Sequence, residues 1–368
     1  MAYFAEKDFF DDEKLVALVQ QVLAGNLTLE WYGVDAARVR ARAADPRRGL
    51  TYDDCNLGPY GFDALPDLVR NRNSMAARGS VRPAKLPDLG YTINRKSDVW
   101  SDNVVALYEE AKARRWAPAV DIPWGELAGA GDRLREQAMA QLATVLGEVA
   151  LVAMEAPSRW VFVINQEFLE LKSFLCAQMI DEARHVEAWR KRALAGGEGL
   201  GRASVSAEQA LKELLSAETY PEASLGVNLL LGSFTLAAYR VLAALAATRA
   251  DRLLATLSMQ DVARSVAYGL GHAHRHLAHQ PSRTAALHDY LDRTEHTMLG
   301  IFGGPEFLEP LVVLAAGSSE PDALARGAGV ARRWLAGALD DYLARCAAAG
   351  LGGRRERSPL ARAVHAPI

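Results

Sequence analysis

The sequence predicts an all-α protein built on four long helices, with further helices at both ends of the chain. Apolar residues recur at helical spacing over long stretches of the 368 residues, and no stretch alternates apolar and polar residues as a half-buried strand does. Glycine and proline residues such as Gly196, Gly197 and Pro221 interrupt this pattern and separate one predicted helix from the next. Half of the residues are hydrophobic and 24% are charged, as is usual for a globular protein.

Residues 1–100 are predicted to form a helical and irregular extension of the bundle. Short helical patterns occur near Asp12–Ala24 and Val34–Ala44, but glycine and proline break the chain repeatedly between residues 45 and 96. Within that part only Phe62–Arg78 has a helical pattern. We therefore expect an irregular cover and no second domain with its own core.

The bundle itself is expected within residues 101–315, followed by a C-terminal helix and a loose tail within residues 316–368. The tail begins after Gly352 and is rich in arginine. Four long helices are expected at about Gly131–Met154 (ended by Pro157), Asn165–Leu194 (with Asn165 as a possible N-cap), Glu222–Ala246 and Asp251–His279.

Composition favours a cytoplasmic protein without nucleic-acid or membrane partners. The segment Leu225–Ala247 is apolar, but Asn228 and Arg240 within it favour a buried bundle helix over a membrane span. The N-terminus shows no basic region followed by an apolar run, so we expect no signal peptide. The net charge of -3 gives no electrostatic reason to bind nucleic acid or an anionic membrane. Three widely spaced cysteines fit a reducing compartment.

The second predicted long helix contains a pair of metal-ligand residue types, Glu182 and His185. They are three residues apart, so both project from one face of the helix. A carboxylate and an imidazole at this spacing can hold one metal ion from one side. Glu148, on the preceding helix, lies 34 residues before Glu182 (182 − 148).

The fourth long helix repeats this segment without its ligands. Residues 259–266 (Met-Gln-Asp-Val-Ala-Arg-Ser-Val) match residues 179–186 (Met-Ile-Asp-Glu-Ala-Arg-His-Val) at five of eight positions. Two of the three differences place Val262 and Ser265 where the first copy has glutamate and histidine. Asn228 lies 34 residues before Val262, at the position where a glutamate would complete a second set of metal ligands.

With this repeat, residues 101–315 resemble the ferritin-like di-iron carboxylate oxygenase superfamily. The superfamily includes the small subunit of ribonucleotide reductase, bacterial multicomponent monooxygenases and arylamine N-oxygenases. Its members carry a glutamate on one helix and Asp-Glu-x-Arg-His on the next, and then repeat both. The resemblance implies metal ligands at Glu148, Glu182 and His185, and a second half-site lost at Asn228, Val262 and Ser265, which would line the pocket.

The resemblance also assigns roles to two aspartates and leaves a histidine cluster open. Asp181 and Asp261 match the aspartate that orients a ligand histidine, and because Ser265 replaces one histidine, one aspartate is expected to lack its partner. The simpler interpretation of the histidine cluster is that it lies at a solvated helix end, where histidine suits the negative end of the helix dipole. The alternative is a role in binding a metal ion or a substrate. The cluster comprises His272, His274, His276 and His279.

Two functions remain open from the sequence. The first is a divergent metal-dependent oxidoreductase of the oxygenase type, acting on a small organic substrate with one metal half-site that holds one iron or manganese ion, or none. The second is a non-catalytic ferritin-like relative, either a ligand-binding protein or the structural partner subunit of an active di-iron oxygenase. The partners expected for the chain are a small organic ligand and a second copy of the chain or a paralogous subunit. Iron storage is disfavoured, because the chain is about twice the usual ferritin length and lacks the ferroxidase ligand set.

Overall fold

The computed structural model describes residues 8–127 and 132–364. These residues form helices and two isolated β-bridges, with no extended strand among them, so the all-α prediction is confirmed. The chain divides into two compact units. The first comprises Met1–Lys96 with Val163–Leu169, and the second comprises Ser97–Phe162 with Glu170–Ile368.

The first unit contains one α-helix, α1 (Glu13–Leu23), within its described residues. Asp12 is its N-cap, and the Asp12 side chain accepts a hydrogen bond from the backbone N–H of Leu15 at 3.1 Å. No residue of α1 is buried. The helix predicted at Val34–Ala44 is absent and that segment is largely exposed, so it has no surface against which an apolar face could be buried. The helix predicted at Phe62–Arg78 is reduced to a 3₁₀ turn at Phe62–Ala64, because Pro66 follows.

The segment 163–169 belongs to the first unit through backbone and side-chain hydrogen bonds. Ile164 forms a parallel β-bridge with Ile93. The side-chain amide of Asn165 donates to the Asn71 carbonyl and to Asn94 Oδ1, both at 2.7 Å. Asn165 is therefore not the helix cap proposed for it, and the next helix begins four residues later, at Leu169.

The second unit is a bundle of helices joined by short connections. The helices are α2 (Val104–Ala113), α3 (Pro118–Asp121), α4 (Arg133–Val161), α5 (Leu169–Ala195), α6 (Val205–Leu215), α7 (Tyr220–Ser224), a π-helix (Leu225–Leu231), α8 (Gly232–Leu245), α9 (Arg249–His279), α10 (Thr284–Thr294), α11 (Thr297–Phe302), α12 (Pro305–Ala316), α13 (Pro321–Ala348), α14 (Arg354–Arg357) and α15 (Pro359–Val364). Among them α4 packs against α6 and α12, α8 packs against α9, and α13 packs against α8 and α12.

Helix α4 continues past Pro157, where the sequence predicts its end, and stops at Val161. A proline removes one backbone donor and crowds the preceding turn. Pro157 is buried close to the C-terminal end of α4, so packing of its ring offsets the loss of one hydrogen bond. The start predicted at Gly131 lies outside the described residues.

Two helical stretches are long and apolar enough to cross a membrane by length and composition, namely Arg133–Val161 and Tyr220–Leu245. A bent pair, Pro281–Phe302 with Pro305–Ala316, would add a third if it were one span. In each of the first two stretches, an apolar segment of 18 residues accounts for this, and 61% and 78% of these segments, respectively, are buried inside the protein. Their composition is therefore accounted for by packing inside the bundle.

Residues 353–364 are not the loose tail that the sequence predicts. They form α14 and α15, and the Arg354 side chain is buried. Its Nε donates to Glu295 Oε1 at 2.6 Å, and Glu295 also accepts hydrogen bonds from Tyr342 and Ser358. A buried ion pair satisfied by further hydrogen bonds thus fastens the C-terminal segment to the bundle.

Candidate functional site

Helices α5 and α9 are joined at the centre of the second unit by the charged residues of the internal repeat. Arg264 of α9 donates to Asp181 of α5 at 2.7 Å, and Arg184 of α5 donates to Asp261 of α9 at 3.1 Å. Each arginine also bonds to the aspartate three residues before it on its own helix. The repeated Asp-x-x-Arg therefore forms a closed network of four charges between the two helices.

His185 is fully buried between two carboxylates. Its Nδ1 lies 2.9 Å from Glu182 Oε2, and its Nε2 lies 3.1 Å from Asp261 Oδ2. Asp261 Oδ2 also accepts a hydrogen bond from Trp116 Nε1 at 2.7 Å. Burial alone lowers the pKa of His185, but Glu182 and Asp261 together raise it to about 9. A pKa in this range favours the imidazolium form, so a metal ion at Nδ1 would have to displace the proton from that nitrogen.

The two aspartates of the repeat differ because only one of them has a histidine. Burial raises the pKa of Asp181, and repulsion from Asp261 raises it further. Burial acts on Asp261 in the same direction, but the hydrogen bond from His185 and the charges of His185 and Arg264 hold the pKa of Asp261 below its usual value. Ser265 stands on α9 where a second histidine would face Asp181, and Asp181 is instead held by Arg184 and Arg264.

The charges at the centre of the bundle balance one another. With all six groups ionised, three carboxylates (−3) face two guanidinium groups and one imidazolium (+3), so the sum is zero. The six residues are Asp181, Glu182 and Asp261 on the acidic side, and Arg184, Arg264 and His185 on the basic side.

A cavity of about 10 Å³ adjoins Glu182, with room for about one water molecule. Asn228, Val262 and Ser265, for which the sequence predicts a pocket-lining position, all line it, together with Gln178 and Glu182. Asn228 is already engaged, because its Oδ1 accepts from Gln178 Nε2 at 2.8 Å and its Nδ2 donates to Ser224 Oγ at 3.3 Å. The cavity is thus closely packed and mostly neutral on the side of Asn228, Val262 and Ser265.

Asn228 lies in the middle of the π-helix, which the sequence does not reveal. Such segments often occur near functional sites, since they change the direction of side chains within a helix. Gly269 of α9 lies directly against it, and a Cβ atom at Gly269 would come within 2.7 Å of Asn228 Cβ. The close approach of α9 to the π-helix therefore depends on glycine at this position.

Glu148, the third predicted ligand, is not among the residues that line the cavity beside Glu182. It is half-buried on α4, and its buried Oε2 has no hydrogen-bond partner among the described residues. Burial, and then the nearby Glu208 of α6, raise the pKa of Glu148. The adjacent α4 residues Val149 and Ala153 line the cavity instead, because successive helical residues point about 100° apart.

A two-metal centre does not fit the side chains present. In the described parts of the chain, no group of three or more histidine, cysteine or acidic side chains is arranged to hold a metal ion. One ion has two donors in position. The 2.9 Å between Glu182 Oε2 and His185 Nδ1 is also the spacing of two neighbouring ligands that each lie about 2.0–2.2 Å from one ion. Catalytic sites usually supply three protein ligands, so this set is one short.

Aromatic residues surround His185, and the sequence did not predict them. The Trp116 ring stacks on the imidazole with 6.3 Å between ring centroids, and the Tyr239 ring packs edge-on against it with 6.0 Å between centroids. Trp189 stacks on Tyr239 and donates from Nε1 to its hydroxyl at 3.1 Å. Trp116 lies in a turn-rich connection far from the repeat in sequence, so no local pattern indicates its contact with Asp261.

The histidines of α9 divide into two pairs. His274 and His279 are exposed, as a solvated helix end predicts, whereas His272 and His276 are buried. His272 Nε2 lies 2.9 Å from the Asp98 carbonyl, and His276 Nδ1 lies 2.9 Å from the Ser97 carbonyl. Burial, and then the neighbouring His276, lower the pKa of His272 to about 3. The buried pair thus fastens residues 97–98 to α9, a structural role that the sequence does not distinguish.

Comparison with solved structures shows a similar fold in R2-like ligand-binding oxidases, which confirms the predicted helical-bundle fold. A variant with an aerobically reconstituted Fe/Fe cofactor superposes with a TM-score of 0.52 at 18% identity. Two variants with anaerobically reconstituted Mn/Fe cofactors give TM-scores of 0.51 at 17% identity and 0.50 at 19% identity. Each match covers 68% of this chain and 94% of the oxidase chain. No protein-family model and no curated protein sequence matches the chain.

Proposed function

We propose that this protein is a divergent ferritin-like oxidoreductase that retains one metal half-site, at Glu182 and His185, and has lost the other. The observation that carries the proposal is the 2.9 Å pair of Glu182 Oε2 and His185 Nδ1, with Nε2 of the same ring fixed by Asp261. Ligating histidines are commonly oriented in this way through their second nitrogen. The related fold of the ligand-binding oxidases, which carry Fe/Fe or Mn/Fe cofactors, supports the same class.

The side chains around this pair have separable tasks. A bound iron or manganese ion would pass electrons from an added reductant to dioxygen. Asp261 keeps the ring of His185 turned so that Nδ1 faces Glu182, and Arg184 and Arg264 hold Asp261 in place. Val262 presents an apolar, uncharged side chain to the half that has lost its ligands. A small organic substrate would face Val262 and the neutral Asn228 and Ser265, after the lining of the 10 Å³ cavity moves apart.

The proposed location is the cytoplasm. Cys55, Cys176 and Cys346 are all free thiols, which fits a reducing compartment. The apolar helices are accounted for by burial inside the bundle, so nothing in their packing calls for a membrane.

A second candidate is a non-catalytic partner subunit or ligand-binding protein, and two observations favour it. The charges at the centre of the bundle sum to zero without a metal ion. In addition, an apolar arm, defined as residues 15–32, is exposed on the first unit. Leu18, Val19 and Val22 of α1 are 45–49% exposed, and Trp31 and Tyr32 are each 74% exposed. Large exposed apolar patches commonly mark protein interfaces.

Metal content separates the two candidates. We expect the wild-type protein, expressed with added iron and manganese, to retain about one ion per chain after gel filtration, as measured by elemental mass spectrometry. Glu182→Ala and His185→Ala should lose it, because each removes one of only two donors. Oxygen consumption with a chemical reductant should fall in parallel.

The matched control is Glu148→Gln, which changes a glutamate that lies apart from the pair. It should keep the ion, and circular dichroism should show all variants folded. Two ions per chain in the wild type would contradict the loss of the second half-site. No ion in the wild type would reject the oxidoreductase in favour of the partner subunit, and loss of the ion in Glu148→Gln would show that α4 supplies a third ligand.

A further inference from the structure

The first unit contains a groove of about 430 Å³, a volume within the range of small-ligand sites, about 300–1,000 Å³. Part of its wall is apolar and includes Leu65, Pro66 and Val69. The remainder carries three arginines, Arg70, Arg78 and Arg82, together with Glu167. This combination of an apolar wall and a few convergent polar groups is typical of a binding site for a small organic molecule.

Arg78 is held in place by backbone carbonyls. Its Nη2 donates to the carbonyl of Glu167 at 2.6 Å, and its Nη1 donates to the carbonyl of Tyr60 at 3.3 Å. Gly79 follows at a φ of +82°, and a Cβ atom there would come within 2.3 Å of the Tyr60 ring. The chain therefore needs glycine to turn against Tyr60, and this turn places Arg78 in the groove wall.

The groove carries a net positive charge. The Glu167 side chain is only 2% exposed, is ion-paired with Arg82, and accepts a hydrogen bond from Asn71 Nδ2 at 2.8 Å. Three arginines and one glutamate give a formal sum of +2 (3 − 1). Arg70 is exposed, and Nε of Arg82 is buried without a hydrogen-bond partner among the described residues. Glu167 therefore positions the arginines without cancelling their charge.

We propose that this groove binds a small organic anion. Its phosphate or carboxylate group is held by Arg70, Arg78 and Arg82, and its apolar part lies on Leu65 and Val69. Guanidinium groups present paired donors that match both phosphate and carboxylate oxygens, and they keep their charge at every physiological pH. The site lies entirely in the first unit and does not depend on the metal half-site.

Calorimetric titration of the full-length chain with three probes tests the proposal. The probes are phenyl phosphate, benzoate and benzyl alcohol, which share an aromatic body and differ in charge. We expect phenyl phosphate to bind, and Arg82→Gln and Arg70→Gln each to weaken it about tenfold, as expected for the loss of one charge-assisted hydrogen bond. Arg72→Gln is the matched control, because Arg72 belongs to the same unit but pairs with Asp88 outside the groove, and it should change affinity less than about twofold.

A fourth variant, Glu167→Gln, separates ligand binding from a purely structural role of the cluster. It keeps an acceptor oxygen for Asn71 and Arg82 but raises the formal charge of the groove from +2 to +3. We expect phenyl phosphate to bind several-fold more tightly to this variant, and thermal unfolding without ligand should confirm that each variant is folded. An unchanged or weaker affinity in folded Glu167→Gln would contradict recognition by charge.

The probes also distinguish the two ligand chemistries. Binding of phenyl phosphate alone would assign the groove to phosphate esters, and equal binding of benzoate would assign it to carboxylates. The proposal is overturned if neither anion binds, if benzyl alcohol binds as tightly as the anions, or if Arg72→Gln weakens binding as much as Arg82→Gln. Because Arg70 is exposed, Arg70→Gln remains informative even if Arg82→Gln fails to fold.

Discussion

Asp261 accepts hydrogen bonds from four different side chains, more than any other residue of the candidate site. His185, Trp116 and Arg184 donate to its Oδ2, and Arg264 donates to its Oδ1. The equivalent aspartate of the first copy, Asp181, receives only the two arginines. The contact of His185 with Asp261, and the absence of a corresponding histidine at Ser265, therefore make the two aspartates of the repeat electrostatically different.

Asp261→Ala is expected to destabilise the protein strongly. It removes a buried carboxylate and leaves its buried donors without an acceptor, a change that costs about 3–5 kcal/mol in the free energy of unfolding. The measurement is urea unfolding followed by circular dichroism.

The control for this substitution is Asp341→Ala, which removes an exposed aspartate that pairs with Arg240 at 3.1 Å. Exposed pairs contribute about 0–1 kcal/mol, so the control should unfold close to the wild type. A cost below 1 kcal/mol for Asp261→Ala would show that water or a rearranged side chain replaces the carboxylate, and that the network is not fixed as described.

At the scale of helices, the sequence placed all four long helices but not their ends. The observed helices Arg133–Val161, Leu169–Ala195 and Arg249–His279, and the stretch Tyr220–Leu245, overlap the predicted ones closely. The errors at Pro157 and Asn165 share one cause. Local rules assign both residues to helix ends. In the structure, burial of the Pro157 ring keeps it inside α4, and hydrogen bonds to Asn71 and Asn94 hold Asn165 outside α5.

The contact between α9 and the π-helix gives a prediction at this scale. Gly269→Ala places a Cβ atom 2.7 Å from Asn228 Cβ and 3.2 Å from the Leu229 nitrogen, so α9 must move away from the π-helix. Overpacking of this kind costs about 1–3 kcal/mol. We expect a net loss of stability in thermal unfolding, together with reduced metal retention at Glu182.

Gly337→Ala is the matched control, because Gly337 lies within α13 and a Cβ atom there meets nothing within 4 Å. The same substitution should stabilise the protein by up to about 1 kcal/mol through helix propensity. Equal effects of the two substitutions on stability would mean that α9 and the π-helix do not approach each other this closely.

At the scale of the whole molecule, the apolar arm is the surface most in need of a partner. No residue of α1 is buried, although Leu18, Val19 and Val22 form an apolar face. An amphipathic helix of eleven residues is marginal in water without a surface to pack on. This exposure supports an assembly, and a second copy of the chain is the simplest partner.

Sedimentation velocity tests this assembly. We expect the wild type to sediment as a dimer and the double substitution Leu18→Glu with Val22→Glu to sediment as a monomer, because two carboxylates oppose burial of the apolar face. Gln20→Glu with Gln21→Glu adds the same charge at polar positions of α1 and should remain dimeric. A monomeric wild type, or dissociation of both double variants alike, would contradict an interface on this face.

The all-α class, the four long helices and the internal repeat, with Asn228, Val262 and Ser265 in its second copy, could all be predicted from the sequence. These features follow from helical periodicity and from spacing along the chain, both of which are local. The tertiary contacts were needed to show that Val149 and Ala153, and not Glu148, line the cavity, that Asp261 and not Asp181 contacts His185, and that Trp116 donates to Asp261. They also show that Asn228, Val262 and Ser265 line a cavity with room for about one water molecule. Each of these depends on which residues from different helices meet in space, and a single sequence does not encode that in any local pattern.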